Sequence, residues 1–129
     1  MGFDVMRRVW GLAVIVAAFA AGAVPARAQD AAAGEIVFKR HCKICHSPLE
    51  GKNMTGPSLF KVVGRPAGSA PKFKYSQANK TSGITWDEGR IQEYLVSPRS
   101  VVPGTPMSFK GLKDPQQRLD VIGYLKTLK

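Results

Sequence analysis

Cys42, Cys45 and His46 are the residues whose types and spacing carry the most chemistry in this chain. In order they read Cys42-Lys43-Ile44-Cys45-His46: two thiols three positions apart, followed at once by an imidazole. Three kinds of chemistry use such thiols. A redox-active disulfide of the thioredoxin sort sits in a βαβ pattern, whereas the flanks here show helical periods and Gly- and Pro-rich loops. A zinc site needs four ligands; only His41 and His46 could join the cysteines, so one short segment would have to supply them all. A C-x-x-C-H segment is the attachment signature of c-type haem. Two thiols on one turn can add to the vinyl groups of neighbouring pyrrole rings, which holds the next imidazole beneath the iron. Both sulfurs end as thioethers. The residue after Cys45 favours this third reading.

An iron that changes oxidation state without rearranging needs a second axial ligand. Met1 and Met6 fall in the leader, His41 abuts the motif, and Met54 lies eight residues from His46. Met107 lies 61 residues away, flanked by Pro103, Gly104 and Pro106, which leaves room for the chain to wrap round a porphyrin. The prolines restrict that loop, and a thioether on iron favours the reduced state. A lone methionine otherwise fills gaps in a core; the haem motif and the Pro-rich loop favour Met107 as ligand.

The elements that must position these groups follow from pattern. Met1 to Val9 carries Arg7 and Arg8, Trp10 to Val24 is a mostly apolar run without a charge, and Ala26-Arg27-Ala28 is a small-residue site. Together they predict a secretory signal peptide over 1–28, cut before Gln29. The alternative is retention as an anchor, although about 15 apolar residues fall short of the roughly 20 that span a bilayer. The full chain of 129 residues has 19 Lys and Arg against nine Asp and Glu. Without the leader's three arginines and one aspartate, residues 29–129 hold 16 against eight, a net of +8. That excess favours an acidic protein surface, a membrane or a nucleic acid, and an exported address argues against nucleic acid. The remaining residues form one small domain, of a size that leans on a cofactor for its core.

Three helices are legible. The first runs from about Ala31 to the motif, with Gly34, Val37, Phe38 and His41 on one face. The second starts at Thr85, where Thr85 and Glu88 spell a capping box, carries Ile91, Tyr94 and Leu95, and stops at Pro98. The third has Asp114 as cap, Pro115 at its first position, and an apolar stripe of Val121, Ile122, Leu125 and Leu128. Loops from Ser47 to Gly83 and from Ser97 to Lys113 are long for a compact domain and make sense wrapped over a cofactor. No sustained period-2 alternation marks a sheet.

From about Ala33 to Leu128 the chain resembles a class I cytochrome c, close to the mitochondrial type and its photosynthetic and respiratory bacterial relatives. The motifs that carry the resemblance are Gly34-Glu35-Ile36-Val37-Phe38, Cys42 to His46, Thr55-Gly56-Pro57-Ser58-Leu59 and Gly64-Arg65. Phe73 to Asn79, Gly83-Ile84-Thr85-Trp86, Tyr94-Leu95, Val102 to Met107 and Tyr124-Leu125-Lys126 complete it. The resemblance implies an all-α class I cytochrome c fold, three main helices and long loops around one covalent haem c, with His46 and Met107 on the iron. It implies that Gly34 and Phe38 pack against Val121 and Tyr124. Pro57 would take the free N–H of His46, an outer bond that orients the ring and raises its basicity. Tyr75 and Trp86 would bond the inner propionate with Arg65 nearby, and Tyr94, Asn79 and Thr105 would form a polar group beside Met107.

The implied activity is single-electron transfer outside the cytoplasm, in the periplasm, by a monomer that is not an enzyme. Its donor would be a membrane quinol–cytochrome c oxidoreductase; its other partner would be a terminal oxidase, a photosynthetic reaction centre or a periplasmic redox enzyme, each with an acidic docking surface. The rival is a haem enzyme or ligand sensor with an open sixth site, of the peroxidase sort, against which the near-intact Pro-Gly-Thr-x-Met context of Met107 speaks. The family's lysine ring around the haem edge is altered here: Pro106 and Ser100 stand in two of its positions and His41 in a third. Arg99 and Lys113 keep basic positions, and Lys43, Lys52 and Lys110 add to them.

Overall fold

The computed structural model describes residues 27–129; the lead and apolar run of the expected signal peptide lie outside the described residues. Five helical segments follow in order: α1 Ala31–His41, α2 Gln77–Lys80, α3 Glu88–Val96, α4 Pro98–Val101 and α5 Pro115–Leu125. Among the described residues the only β pairing is an isolated bridge between Pro66 and Thr85. None of these helices is long and apolar enough to cross a membrane.

Each long helix starts where an acid can cap it. Asp30 accepts the N–H groups of Ala32 and Ala33 at 2.9 and 3.0 Å, and Asp114 accepts that of Gln116 at 2.8 Å with Pro115 at the first position. Such caps satisfy donors that the helix itself leaves unpaired. At α3 the structure corrects the capping box. Asp87 is the cap, accepting the Arg90 N–H at 2.8 Å, while Thr85 is committed to the bridge with Pro66. Glu88 is thereby freed to pair with Lys126 at 2.7 Å and to accept the Gln29 amide at 2.9 Å. α3 ends at Val96, and Pro98 opens the single turn α4. Leu128 lies beyond α5, where its carbonyl takes the Lys61 N–H at 2.9 Å.

The first and last helices cross and form the centre of the core. Phe38 and Tyr124 meet at 5.2 Å between ring centroids, and Phe38, Val121 and Ile122 are each 1% exposed. Val37 of α1, Ile91 and Leu95 of α3, Leu112, Val62 and Leu125 complete the cluster. Gly34 makes the crossing possible: a Cβ there would run into the backbone carbonyl of Asp120 and stand 3.0 Å from Tyr124 Cβ. Because the obstacle is backbone, it cannot rotate away. Gly34→Ala is expected to cost at least the ~1–3 kcal/mol of ordinary overpacking. Gly89→Ala, on the exposed side of α3 with Asp87 Oδ1 at an ordinary 3.4 Å, should be neutral or gain up to ~1 kcal/mol in helix propensity. Denaturant melts of the two variants check this; equal stabilities would refute the crossing.

Chain entry is fastened to the same pair. The Asp30 N–H donates to the buried Asp120 carboxylate at 3.0 Å, and Gln116 Nε2 reaches that carboxylate at 2.8 Å and the Ala28 carbonyl at 2.9 Å.

Candidate haem site

α1 runs straight into the reactive segment. The N–H groups of Cys45 and His46 both donate to the Cys42 carbonyl, at 3.0 and 2.9 Å, so the two sulfurs ride on one turn. Both cysteines are half-buried and free of a disulfide. Burial, helped by the nearby Cys45, pushes the free Cys42 thiol up to about 11. Among the described residues no three His, Cys, Asp or Glu side chains gather as a cage for a metal ion.

His46 Nδ1 lies 2.8 Å from the Pro57 carbonyl, which can only accept, so the proton sits on Nδ1 and Nε2 keeps its lone pair. Burial lowers the His46 pKa; the Pro57 bond opposes this and the Arg65 charge adds to it. The ring is therefore neutral and able to ligate a metal through Nε2. The loop that brings Pro57 here is strapped to the motif. Gly56 N–H donates to the Cys45 carbonyl at 2.8 Å, Leu59 N–H to the Ser47 carbonyl at 2.9 Å, and the buried Ser58 hydroxyl to the Leu49 carbonyl at 2.6 Å.

The second expected ligand has its own cradle. The Tyr94 hydroxyl donates to Met107 Sδ at 3.3 Å, and the Met107 N–H donates to the buried Thr105 hydroxyl at 3.3 Å. Burial raises the Tyr94 pKa, with Thr105 pulling the other way, so the phenol keeps its proton and remains a donor. Trp86 braces Tyr94 edge-on at 4.7 Å. Tyr94, Thr105 and Met107 are thus brought together, while Asn79 spends its amide on the Ser76 hydroxyl at 3.0 Å.

The residues expected at a propionate are arranged differently from one another. Arg65 donates to the carbonyls of Phe60 at 2.8 Å and Ser58 at 2.9 Å, yet its buried Nε has no partner. Burial lowers its pKa, with Tyr75 opposing. The Tyr75 oxygen accepts the Ala70 N–H at 3.0 Å, which leaves its proton free to give, and Phe73 packs edge-on against it at 4.8 Å.

These observations fit a haem. The donor set is one imidazole nitrogen and one thioether sulfur, two unpaired thiols sit on the turn before the imidazole, and a buried guanidinium N–H awaits an acceptor. Cys42, Cys45, His46 and Met107 would hold the group.

Two residues outside the expected set fix the Met107 loop. Gly111 has φ +95°, and a Cβ on it would strike the Val96 carbonyl and lie 3.0 Å from that of Leu95. The chain can therefore return to α3, where Leu112 N–H donates to the Leu95 carbonyl at 2.7 Å. Arg118 on α5 ties down the next carbonyls, of Leu112 and Lys113, at 2.5 and 3.0 Å. The sequence signal for Gly111 is a glycine four residues past Met107; Arg118 leaves no comparable mark. A cleft of about 390 Å³ lies between α4 and this loop, lined by Ser97, Pro98, Arg99, Ser108, Phe109 and Lys110.

Comparison with known proteins finds similar chains. The sequence profile of the family described as cytochrome c matches residues 31–129. The chain is 50% identical over 119 residues to cytochrome c2 of Blastochloris viridis, covering 92% of this chain and 90% of that protein. It is 44% identical over 100 residues to cytochrome c of Euglena viridis, covering 78% and 98%. Among solved structures, cytochrome cH from Methylobacterium extorquens superposes with a TM-score of 0.71 at 47% identity, covering 76% of this chain and 98% of that one.

Proposed function

This chain belongs to the class I cytochrome c family and carries electrons on one covalently attached haem c, and on that footing we propose that it does so in the periplasm with His46 and Met107 as axial ligands. It is an electron carrier rather than an enzyme. Its proposed donor is a membrane quinol–cytochrome c oxidoreductase, and its acceptor a terminal oxidase, a photosynthetic reaction centre or a periplasmic redox enzyme. The signal-like residues 1–28 support export, with cleavage before Gln29.

When bound, the haem supplies the one-electron change at its iron. The chain's own residues hold and tune it. Cys42 and Cys45 fasten it through thioethers. His46 presents Nε2 because Pro57 occupies Nδ1; that pinned imidazole, 2.8 Å from the carbonyl, is the observation that carries the reading. Tyr94 fixes the Met107 sulfur by donating to it. Arg65 and Tyr75 offer an N–H and an O–H to a propionate.

Docking follows from charge. Arg99 and Lys110 are exposed at the cleft beside the Met107 loop and Lys113 is exposed three residues further along the chain, and a net +8 on residues 29–129 steers the protein toward acidic surfaces. Such steering is screened beyond about 10 Å at 0.1 M salt. The second-order rate with an acidic partner complex should fall steeply as salt rises. Arg99→Glu should slow association about tenfold at low salt, whereas Lys129→Glu should change it little, because charges act on the on-rate near the docking site. Stopped-flow rates across a salt series test this, and equal rates for the two variants would remove the docking face.

A further inference from the structure

We infer that Gly56 is a positioning residue for the axial imidazole, its bare Cα forming the wall against which the His46 ring lies. A Cβ built on Gly56 would collide with His46 Cε1 and stand 2.7 Å from Nδ1 and 2.9 Å from Nε2. Real Cβ atoms essentially never approach other atoms under 3.0 Å. Three ring atoms would be hit at once, so the side chain would meet the ring broadly rather than clip one corner.

Positive φ is not the reason for glycine here. Gly56 is absent from the glycines with positive φ, unlike its loop neighbour Gly51 at +66°. The Gly56 φ therefore lies outside the region that strains an alanine, and the obstacle to a side chain is the His46 ring. Nor can the wall retreat. The Gly56 N–H is bonded to the Cys45 carbonyl at 2.8 Å, its carbonyl accepts the Met54 N–H at 2.9 Å, and the next carbonyl, that of Pro57, takes Nδ1 at 2.8 Å. The ring is therefore held at its edge by Pro57 and braced by Gly56, while Cys45 tethers its backbone. A methyl at position 56 turns or slides the ring and breaks the Pro57 bond.

The inference rests on His46 binding the iron, and its consequences are read on the holoprotein. In oxidised Gly56→Ala, the pattern of paramagnetically shifted haem-methyl NMR lines, which follows the orientation of the axial imidazole plane, should be redistributed. The His46 Nδ1 proton should exchange about tenfold faster, as loss of one hydrogen bond implies. The potential should rise, because an imidazole that no longer gives its proton to Pro57 is a less basic ligand and stabilises ferric iron less. Gly51→Ala is the control: it strains the same loop through its positive φ, with open space around its Cβ. It should lower stability and leave all three readouts in place. If Gly56→Ala matches the wild type in methyl pattern, exchange and potential, the inference is overturned. Should that variant yield no holoprotein, the reduced wild type decides, since a strong nuclear Overhauser effect between Gly56 α protons and His46 ring protons is required and its absence refutes the contact. A wild-type spectrum without histidine-bound low-spin iron would sink the ligand reading instead, a distinguishable failure.

Discussion

Cys42→Ala together with Cys45→Ala is expected to abolish stable haem incorporation and, with it, nearly all helical structure. The apolar core made by protein alone is small: Val37, Phe38, Val62, Ile91, Leu95, Leu112, Val121, Ile122 and Leu125 are its buried members. Each contributes roughly 1.5–3 kcal/mol on burial, against about 1–2 kcal/mol of backbone entropy for every residue ordered. The segment 47–76 contributes Val62 to that cluster but holds no helix, so it has little reason to stay ordered without a haem to cover. Far-UV circular dichroism and the visible haem absorbance of the secreted double variant measure the outcome. A helical, cooperatively melting protein lacking haem would show that the chain suffices as its own core. Each single variant keeps one thioether and should retain haem with reduced stability.

Met107→Ala should leave haem attached, because the cysteines hold it, and should change what the iron can do. Loss of the thioether should lower the potential by roughly 0.2 V or more, within the ~0.8 V that axial ligation spans across haem proteins. The weak long-wavelength band of ferric iron bound by sulfur should vanish, and added cyanide or imidazole should bind quickly. Tyr94 would lose its acceptor at 3.3 Å, leaving a half-buried hydroxyl to turn to Thr105 or to water that enters the space. An unchanged potential and spectrum would transfer the ligand role elsewhere, with Met54, 43% exposed, next in line.

The parts legible in the sequence were those with a local cause. Asp30 and Asp114 announce helix starts because an acid one residue before an apolar period can cap it, and the Cys42–His46 spacing carries its chemistry in five consecutive positions. The capping box that Thr85 and Glu88 spell does not start α3, because Thr85 is taken by the bridge to Pro66 and the carboxylate of Asp87 accepts the Arg90 N–H instead. Arg118 is invisible for a related reason, and Gly111 is marked only by its residue type. Their value lies in carbonyls of a distant helix and loop that no spacing pattern encodes. Gly56 appeared as part of a motif, but the ring that forbids a side chain there is ten residues away and reaches it only through the fold.

The crossing of α1 with α5 also sets a time order. A chain threaded N-terminus first through any channel delivers Phe38 and the thiols early and Val121 and Tyr124 last, so the seam at Gly34 cannot close until nearly the whole chain has emerged. Until then Cys42 is not yet in the closed environment that pushes its thiol up to about 11. Before closure both sulfurs stand open to chemistry. Placing the partner of the first helix some eighty residues downstream thus leaves the attachment step ahead of closure, and an inserted segment before Pro115 should delay the seam without touching a residue of the site.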